Sequence, residues 1–255
     1  MIRIENISKK FRRLQVLDTV SVTLALGQVV SLIGPNGSGK TTLIKSILGM
    51  VRPDKGQIFV NEKLITDDPV YREKIGYMPQ IGRYPDNMKV GQLFRMLQHI
   101  RTVPAERTDT ELIRQFELEK IFEKPMRTLS GGTRQKVSAA VAFLFDPTIL
   151  ILDEPTAGLD PLASEILKEK IISEKKKNKL ILVTSHILSD LDELSTHVMY
   201  MQEGKMQFFK DIDTLKEDTG ELKLGRAIAR IMKGEKFSND WIDKMLIQKN
   251  DEKIY

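Results

Sequence analysis

The sequence predicts an α/β protein with a mainly parallel central sheet, and three observations carry that expectation. Short apolar strands alternate with helical periodicity in the second half of the 255-residue chain, which is the pattern of parallel strands joined through covering helices. The near-continuous apolar strand Val29–Ile33 runs straight into a glycine-rich loop and then a helix. That order is the setting of a phosphate-binding loop. Between Tyr84 and about Phe145 the alternation gives way to helical spacing alone, which reads as a helical block inserted into the α/β core.

Taken in order, the chain opens with strands at Ile2–Ile7, alternating in the manner of an edge strand, and at Val20–Leu24. Strand Val29–Ile33 follows, then the loop, then a helix through Leu48. Val90–Ile100 and Thr108–Phe116 read as amphipathic helices, and Ser130 as the N-cap of a helix ending at Phe143. After these come strand Ile149–Leu152, helix Pro161–Glu174, strand Leu180–Val183, helix Ile187–Leu194 and strand Val198–Met201. Beyond about Asp211 the core is complete. Helical patterns at Leu222–Met232 and Asp240–Leu246 form a C-terminal appendage, so residues 1–220 are expected as one domain and 221–255 as its addition.

Composition narrows the class. A hydrophobic share of 41% and a charged share of 29% are those of a globular protein. No run approaches the ~18 apolar residues that span a bilayer, and the start of the chain has no signal-peptide core, so a cytoplasmic location is expected. The chain has no Cys, which excludes thiolate metal sites and disulfides. The net charge of +5 comes in short runs such as Lys175-Lys176-Lys177 without interleaved aromatics, a solvated helix end and not a nucleic-acid surface.

The phosphate loop is Gly34-Pro35-Asn36-Gly37-Ser38-Gly39-Lys40-Thr41-Thr42. Its glycines let backbone N–H groups wrap a phosphate, and the following helix adds its positive end. Lys40 is placed for the β and γ phosphates of ATP and Thr41 for Mg²⁺. A chance match in this length is on the order of one in a hundred. Next, the buried strand Ile149–Leu152 ends in Asp153-Glu154, at the sheet edge where open parallel sheets bind ligands. Asp153 is the candidate to hold Mg²⁺ through water, and Glu154 to orient and deprotonate an attacking water. Ser130-Gly131-Gly132 caps its helix, but two adjacent glycines each cost about 1 kcal/mol there. Close approach of backbone to a phosphate accounts for both.

At this point the chain resembles the ATP-binding subunits of ABC transporters. Leu129-Ser130-Gly131-Gly132 is similar to their signature sequence, Gln80 to the Q-loop glutamine, Leu159-Asp160 to the D-loop, His186 to the switch histidine, and Phe11 to the aromatic that stacks on adenine. The likeness spans roughly Met1 to Phe209. It implies a P-loop NTPase fold with an N-terminal antiparallel β subdomain and a helical subdomain inserted at 84–145. It also implies a head-to-tail homodimer that sandwiches two nucleotides, with Ser130, Gly131, Gly132 and Asp160 joining the site across the interface. Gln80 would couple the Mg²⁺ site to a separate membrane subunit, and His186 would contact the γ-phosphate. With every catalytic position matching, both sites are expected to be active.

Thr133-Arg134-Gln135-Lys136 and Gly158-Leu159-Asp160-Pro161 resemble exporter or ABC-2-type ATPases. Pro79–Pro85, Thr133–Leu144 and Arg226–Met232 resemble the copper-processing ATPase of the nitrous-oxide reductase maturation system. Export of a drug or other small molecule is the alternative. A soluble ABC ATPase of DNA repair or translation would carry coiled-coil insertions or a tandem unit, and neither pattern is seen. A GTP switch would need Asn-Lys-x-Asp, whereas Asn178-Lys179 runs on into Leu180-Ile181.

Overall fold

The structure, a computed structural model, describes residues 1–66, 69–185 and 187–232. His186 and the expected helix Asp240–Leu246 lie outside the described residues.

The N-terminal third is a β unit wrapped around a helix. Strands β1 (Ile2–Phe11) and β2 (Leu14–Leu24) form an antiparallel hairpin whose tip pairs Phe11 with Leu14. β3 (Val29–Ile33) leads to α1 (Lys40–Ile47), and β4 (Lys55–Val60) and β5 (Lys63–Leu64) follow. The first sheet has the order β2-β1-β4-β5, all antiparallel. β1 therefore has neighbours on both sides and is not the edge strand that its alternation suggests. Each of its edges is paired with a strand, and β4 was illegible because its first three residues, Lys-Gly-Gln, are exposed and not apolar.

β6 (Ile75–Met78) precedes the helical block, which holds α2 (Val90–Arg101), α3 (Glu111–Gln115) and α4 (Gly131–Phe143) with short 3-10 turns between them. α3 is much shorter than the predicted 108–116 helix. Its start is fixed by Asp109, whose carboxylate accepts the Glu111 N–H, and its end by Glu117 at φ +53°, a left-handed residue that stops a helix. Then come β7 (Ile149–Asp153), α5 (Pro161–Lys176), β8 (Leu180–Thr184), α6 (Leu188–Leu194), β9 (His197–Gln202) and β10 (Lys205–Asp211). A helix that the periodicity did not indicate follows β10 directly. α7 (Ile212–Thr219) is capped by Asp211, which accepts from the Thr214 N–H at 2.8 Å, and α8 (Leu224–Met232) follows.

The second sheet runs β10-β9-β3-β8-β7-β6. Every pairing is parallel except β9 with β10. Its central strands β3, β7 and β8 are buried throughout, as both-face coverage requires. Alternate residues serve two cores. Val30, Leu32, Ile149, Ile151, Leu180 and Leu182 face α1 and the first sheet, whereas Val29, Ile33, Leu150, Leu152, Ile181 and Val183 face the helices of the other layer. At about 1.5–3 kcal/mol for each fully buried aliphatic side chain, this two-sided burial fixes the strand register. That register brings the C-terminal ends of β3, β6, β7 and β8 to one edge.

Candidate active site

At that edge lies a cleft of about 390 Å³ lined by Asn36 to Thr42, Gln80, Asp153, Glu154 and Val16. The loop between β3 and α1 is held by the Ser38 N–H donating to the Pro35 carbonyl at 3.1 Å. Lys40 Nζ donates to the carbonyls of Gly34 at 2.7 Å and Pro35 at 3.1 Å, which folds the side chain back over the loop. Burial lowers the Lys40 ammonium below the usual lysine value, and the charges of Glu154 and Asp153 pull it back up. The ammonium thus already feels both carboxylates across the cleft. The Ser38 hydroxyl is buried and without a hydrogen-bond partner, which is costly unless a ligand satisfies it. Gly39, at φ +103°, sits just ahead of α1, and a Cβ there would stand 2.6 Å from the Val16 carbonyl. Only glycine lets the loop lie this close to β2.

Asp153 and Glu154 are set by β8. The register pairs Asp153 with Thr184. The Thr184 hydroxyl donates to Asp153 Oδ1 at 2.6 Å and accepts the Glu154 N–H at 2.9 Å. One hydroxyl therefore orients the first carboxylate and fixes the backbone of the second. Glu154 itself sits at φ +54°, a conformation uncommon outside glycine that is held by this bracket and recurs at functional sites. Gln135, buried on α4, reaches the Glu154 carbonyl at 3.4 Å. Tyr77 is pushed up to about 12 by burial and by the charge of Asp153, so its phenol stays protonated. The roles of Thr184 and Val16 were not legible in the sequence. Thr184 is 31 residues from Asp153, and only the parallel pairing of β7 and β8 joins them.

Thr41, Gln80 and Asp153 offer a hydroxyl, an amide oxygen and a carboxylate to the same space. An all-oxygen donor set of this kind fits Mg²⁺ and not a soft metal.

The remaining candidate residues stand outside the cleft. Ser130 caps α4, accepting from the Thr133 N–H at 3.2 Å, and both Ser130 and Gly131 are exposed. A Cβ on Gly132 would lie 2.7 Å from the Gly158 carbonyl, so the Ser130–Gly132 loop and the loop before α5 touch backbone to backbone. Asp160 caps α5 through the Ala163 N–H at 2.9 Å and pairs with Lys136 of α4 at 2.6 Å. Phe11 sits at the hairpin tip and is 46% exposed, beyond Val16 on the same hairpin.

Comparison with known proteins decides the family. The family model described as ABC transporter matches residues 17–157. The chain belongs to the ABC transporter family. It carries that family's ATP-binding domain and is an ATPase. The lantibiotic transport ATP-binding protein SrtF of Streptococcus pyogenes is 32% identical over 225 residues, covering 84% of this chain and 92% of that protein. A solved ATP binding subunit of an ABC transporter superposes with a TM-score of 0.85 at 28% identity, covering 91% of this chain and 99% of that one. A dimeric ATP-binding cassette in a post-hydrolysis state, bound to ADP and Pi, matches at a TM-score of 0.75. It covers 83% of this chain and 99% of the cassette at 22% identity, and so speaks to the fold. Among the described residues of this ABC ATPase, no helix is long and apolar enough to cross a membrane.

Proposed function

We propose that this ABC ATPase hydrolyses Mg-ATP in two sites shared by a homodimer and thereby drives a separate integral membrane subunit. The observation that carries this reading is the convergence of Lys40, Thr41, Gln80, Asp153 and Glu154 on one cleft. The phosphate loop and Lys40 bind the triphosphate, and Phe11 stacks on the adenine. Glu154 accepts a proton from water as the water oxygen attacks the γ-phosphorus. The bond from that phosphorus to the β–γ bridging oxygen breaks, and ADP and phosphate leave. Thr41, Gln80 and, through water, Asp153 would hold Mg²⁺, which would supply charge neutralisation to the triphosphate. Ser130, Gly131, Gly132 and Asp160 reach the nucleotide of the opposite protomer, and His186 contacts the γ-phosphate. The exposure of Ser130 and Gly131 at the start of α4 supports a contact made in trans, as does the dimeric state of the ADP-bound cassette.

The membrane subunit docks over Gln80 and the helical block, where Ile81 and Ile100 are exposed apolar side chains. That attachment holds the ATPase at the inner face of the cell membrane. Residues 1–220, with 84–145 inserted, form the catalytic domain, and 221–255 form its appendage. The partner is of the exporter or ABC-2 type, and the task is copper-site maturation of nitrous-oxide reductase; the residues of Pro79–Pro85, Thr133–Leu144 and Arg226–Met232 support this. The lantibiotic-transport relative favours a second reading, the export of some other molecule. In a strain lacking this chain, copper-deficient nitrous-oxide reductase supports the first reading, and a fully loaded enzyme supports the second.

The catalytic assignment has its own test. Glu154→Gln should lower ATP turnover by about 10²- to 10⁴-fold, the range of general-base catalysis, and leave Mg-ATP affinity within about threefold. Chelating Mg²⁺ should abolish turnover of the unaltered protein. A variant that still turns over at the parental rate would remove Glu154 from the mechanism.

A further inference from the structure

The hairpin tip bearing Phe11 carries a second built feature. Lys9, two residues earlier on β1, lies with its ammonium 5.5 Å from the centroid of the Phe11 ring. The lysine is itself anchored. Its Nζ pairs with Asp54 at 2.8 Å, and the other oxygen of Asp54 accepts the Lys10 N–H at 2.7 Å. The Asp54 N–H in turn donates to the Ser8 carbonyl at 2.8 Å, tying the segment before β4 to β1. The Lys9 hydrogen bond, followed by the Lys10 N–H, holds the Asp54 carboxyl below its ordinary value. The lysine side chain is only 17% exposed, although it ends in a charge at the edge of a hairpin. Phe11 is 46% exposed, which leaves ring surface open beside the Lys9 ammonium.

We infer that Lys9, held by Asp54, is a positioning residue that backs the Phe11 ring and presents its opposite face to the adenine of ATP. This rests on the proposed stacking role of Phe11. A cation over one face fixes the ring through its quadrupole, and a ring already fixed loses less rotamer freedom when a base stacks on it. Phe11 is the last residue of β1 and pairs with Leu14 at the hairpin tip, where no further strand residue flanks it. The effect belongs to the base and not to the phosphates, because Lys9 lies outside the residues that line the phosphate cleft.

The test compares ATP with inorganic tripolyphosphate, which lacks the base, as ligands of the full-length chain by calorimetry. Lys9→Ala should weaken ATP about three- to tenfold and leave tripolyphosphate binding unchanged, with turnover at saturating ATP retained. Lys9→Arg should restore ATP affinity, since a guanidinium serves the ring equally. In a Phe11→Ala background, Lys9→Ala should add nothing. If Phe11→Ala weakens ATP and Lys9→Ala does not, Lys9 has no positioning role and the stacking assignment stands. If Lys9→Ala weakens both ligands alike, the residue acts on the fold and the inference fails. If Phe11→Ala itself leaves ATP affinity unchanged, the stacking assignment fails and takes this inference with it.

Discussion

The chemistry of the cleft turns on how individual side chains are held, and Thr184 holds two of them. Its hydroxyl links Asp153 Oδ1 and the Glu154 N–H, so Thr184→Val, nearly isosteric, takes the donor from the buried Asp153 carboxylate and leaves the Glu154 N–H only the Thr184 carbonyl at 3.2 Å. Each unsatisfied buried group costs about 1–3 kcal/mol. ATP turnover should therefore fall about ten- to a hundredfold, with Thr184→Ser recovering most of it, as steady-state kinetics would measure. Unchanged turnover in the valine variant would make the bracket irrelevant to catalysis. The contrast with the phosphate loop explains what could be read from residues alone. Gly34 to Thr42 is contiguous, so its spacing displays the geometry directly. The Thr184 bracket joins residues 31 apart and exists only once β7 and β8 pair in register.

Secondary-structure elements are tied together by charge as well as by apolar burial. Lys170 of α5, whose side chain is 1% exposed, lies 2.6 Å from Asp109, 2.7 Å from Glu111 and 3.0 Å from Glu174. Lys179, ahead of β8, pairs with Glu174 and Asp146. The helical block is thus bound to α5, the helix that Asp160 caps. Asp109, Asp146 and Glu174 converge like a cation site, but Lys170 and Lys179 sit among them and supply the positive charge. Removing one member strands the others, which costs about 3–5 kcal/mol. Lys170→Ala should lose that much stability in urea unfolding, and a loss below about 1 kcal/mol would contradict the account.

The pH dependence of this network follows from Glu174. Burial alone would raise its carboxyl, but hydrogen bonds from Lys177, Lys179 and Lys170 outweigh burial and hold it at about 2. A depressed folded value means stability that is present above the ordinary carboxylate range and lost as pH falls toward 2. It amounts to about 3 kcal/mol. Glu174→Gln should flatten the fall in stability between about pH 4.5 and 2, where the unaltered protein weakens steeply. At this scale the sequence was legible wherever apolar runs are continuous, as in β3, β7 and β8. It was opaque at β4, β6, β10 and α7, which are short or half polar and are defined by their partners. The cap at Asp211 and the left-handed Gly220 just past its end were the local signs of α7.

For the molecule as a whole, the parallel core and inserted helical block were visible in the order of strands and helices. The antiparallel edge of that sheet, β9 with β10, was missed with β10 itself, although the two-residue turn Glu203-Gly204, both at positive φ, admits only a hairpin. The arrangement has one consequence for assembly. The phosphate cleft and the Ser130–Gly132 loop are separate surfaces of one chain, so the proposed shared site requires the loop of one protomer to meet the cleft of another. ATP then favours the closed dimer through its greater affinity for that state.

The most direct measurement is the mass of the Glu154→Gln variant by light scattering, with and without Mg-ATP. Mg-ATP should shift this variant from monomer to dimer, and Ser130→Arg introduced into the same chain should abolish the shift. A Glu154→Gln protein that binds Mg-ATP and remains monomeric would contradict the claim that two copies of this chain share the nucleotide between them.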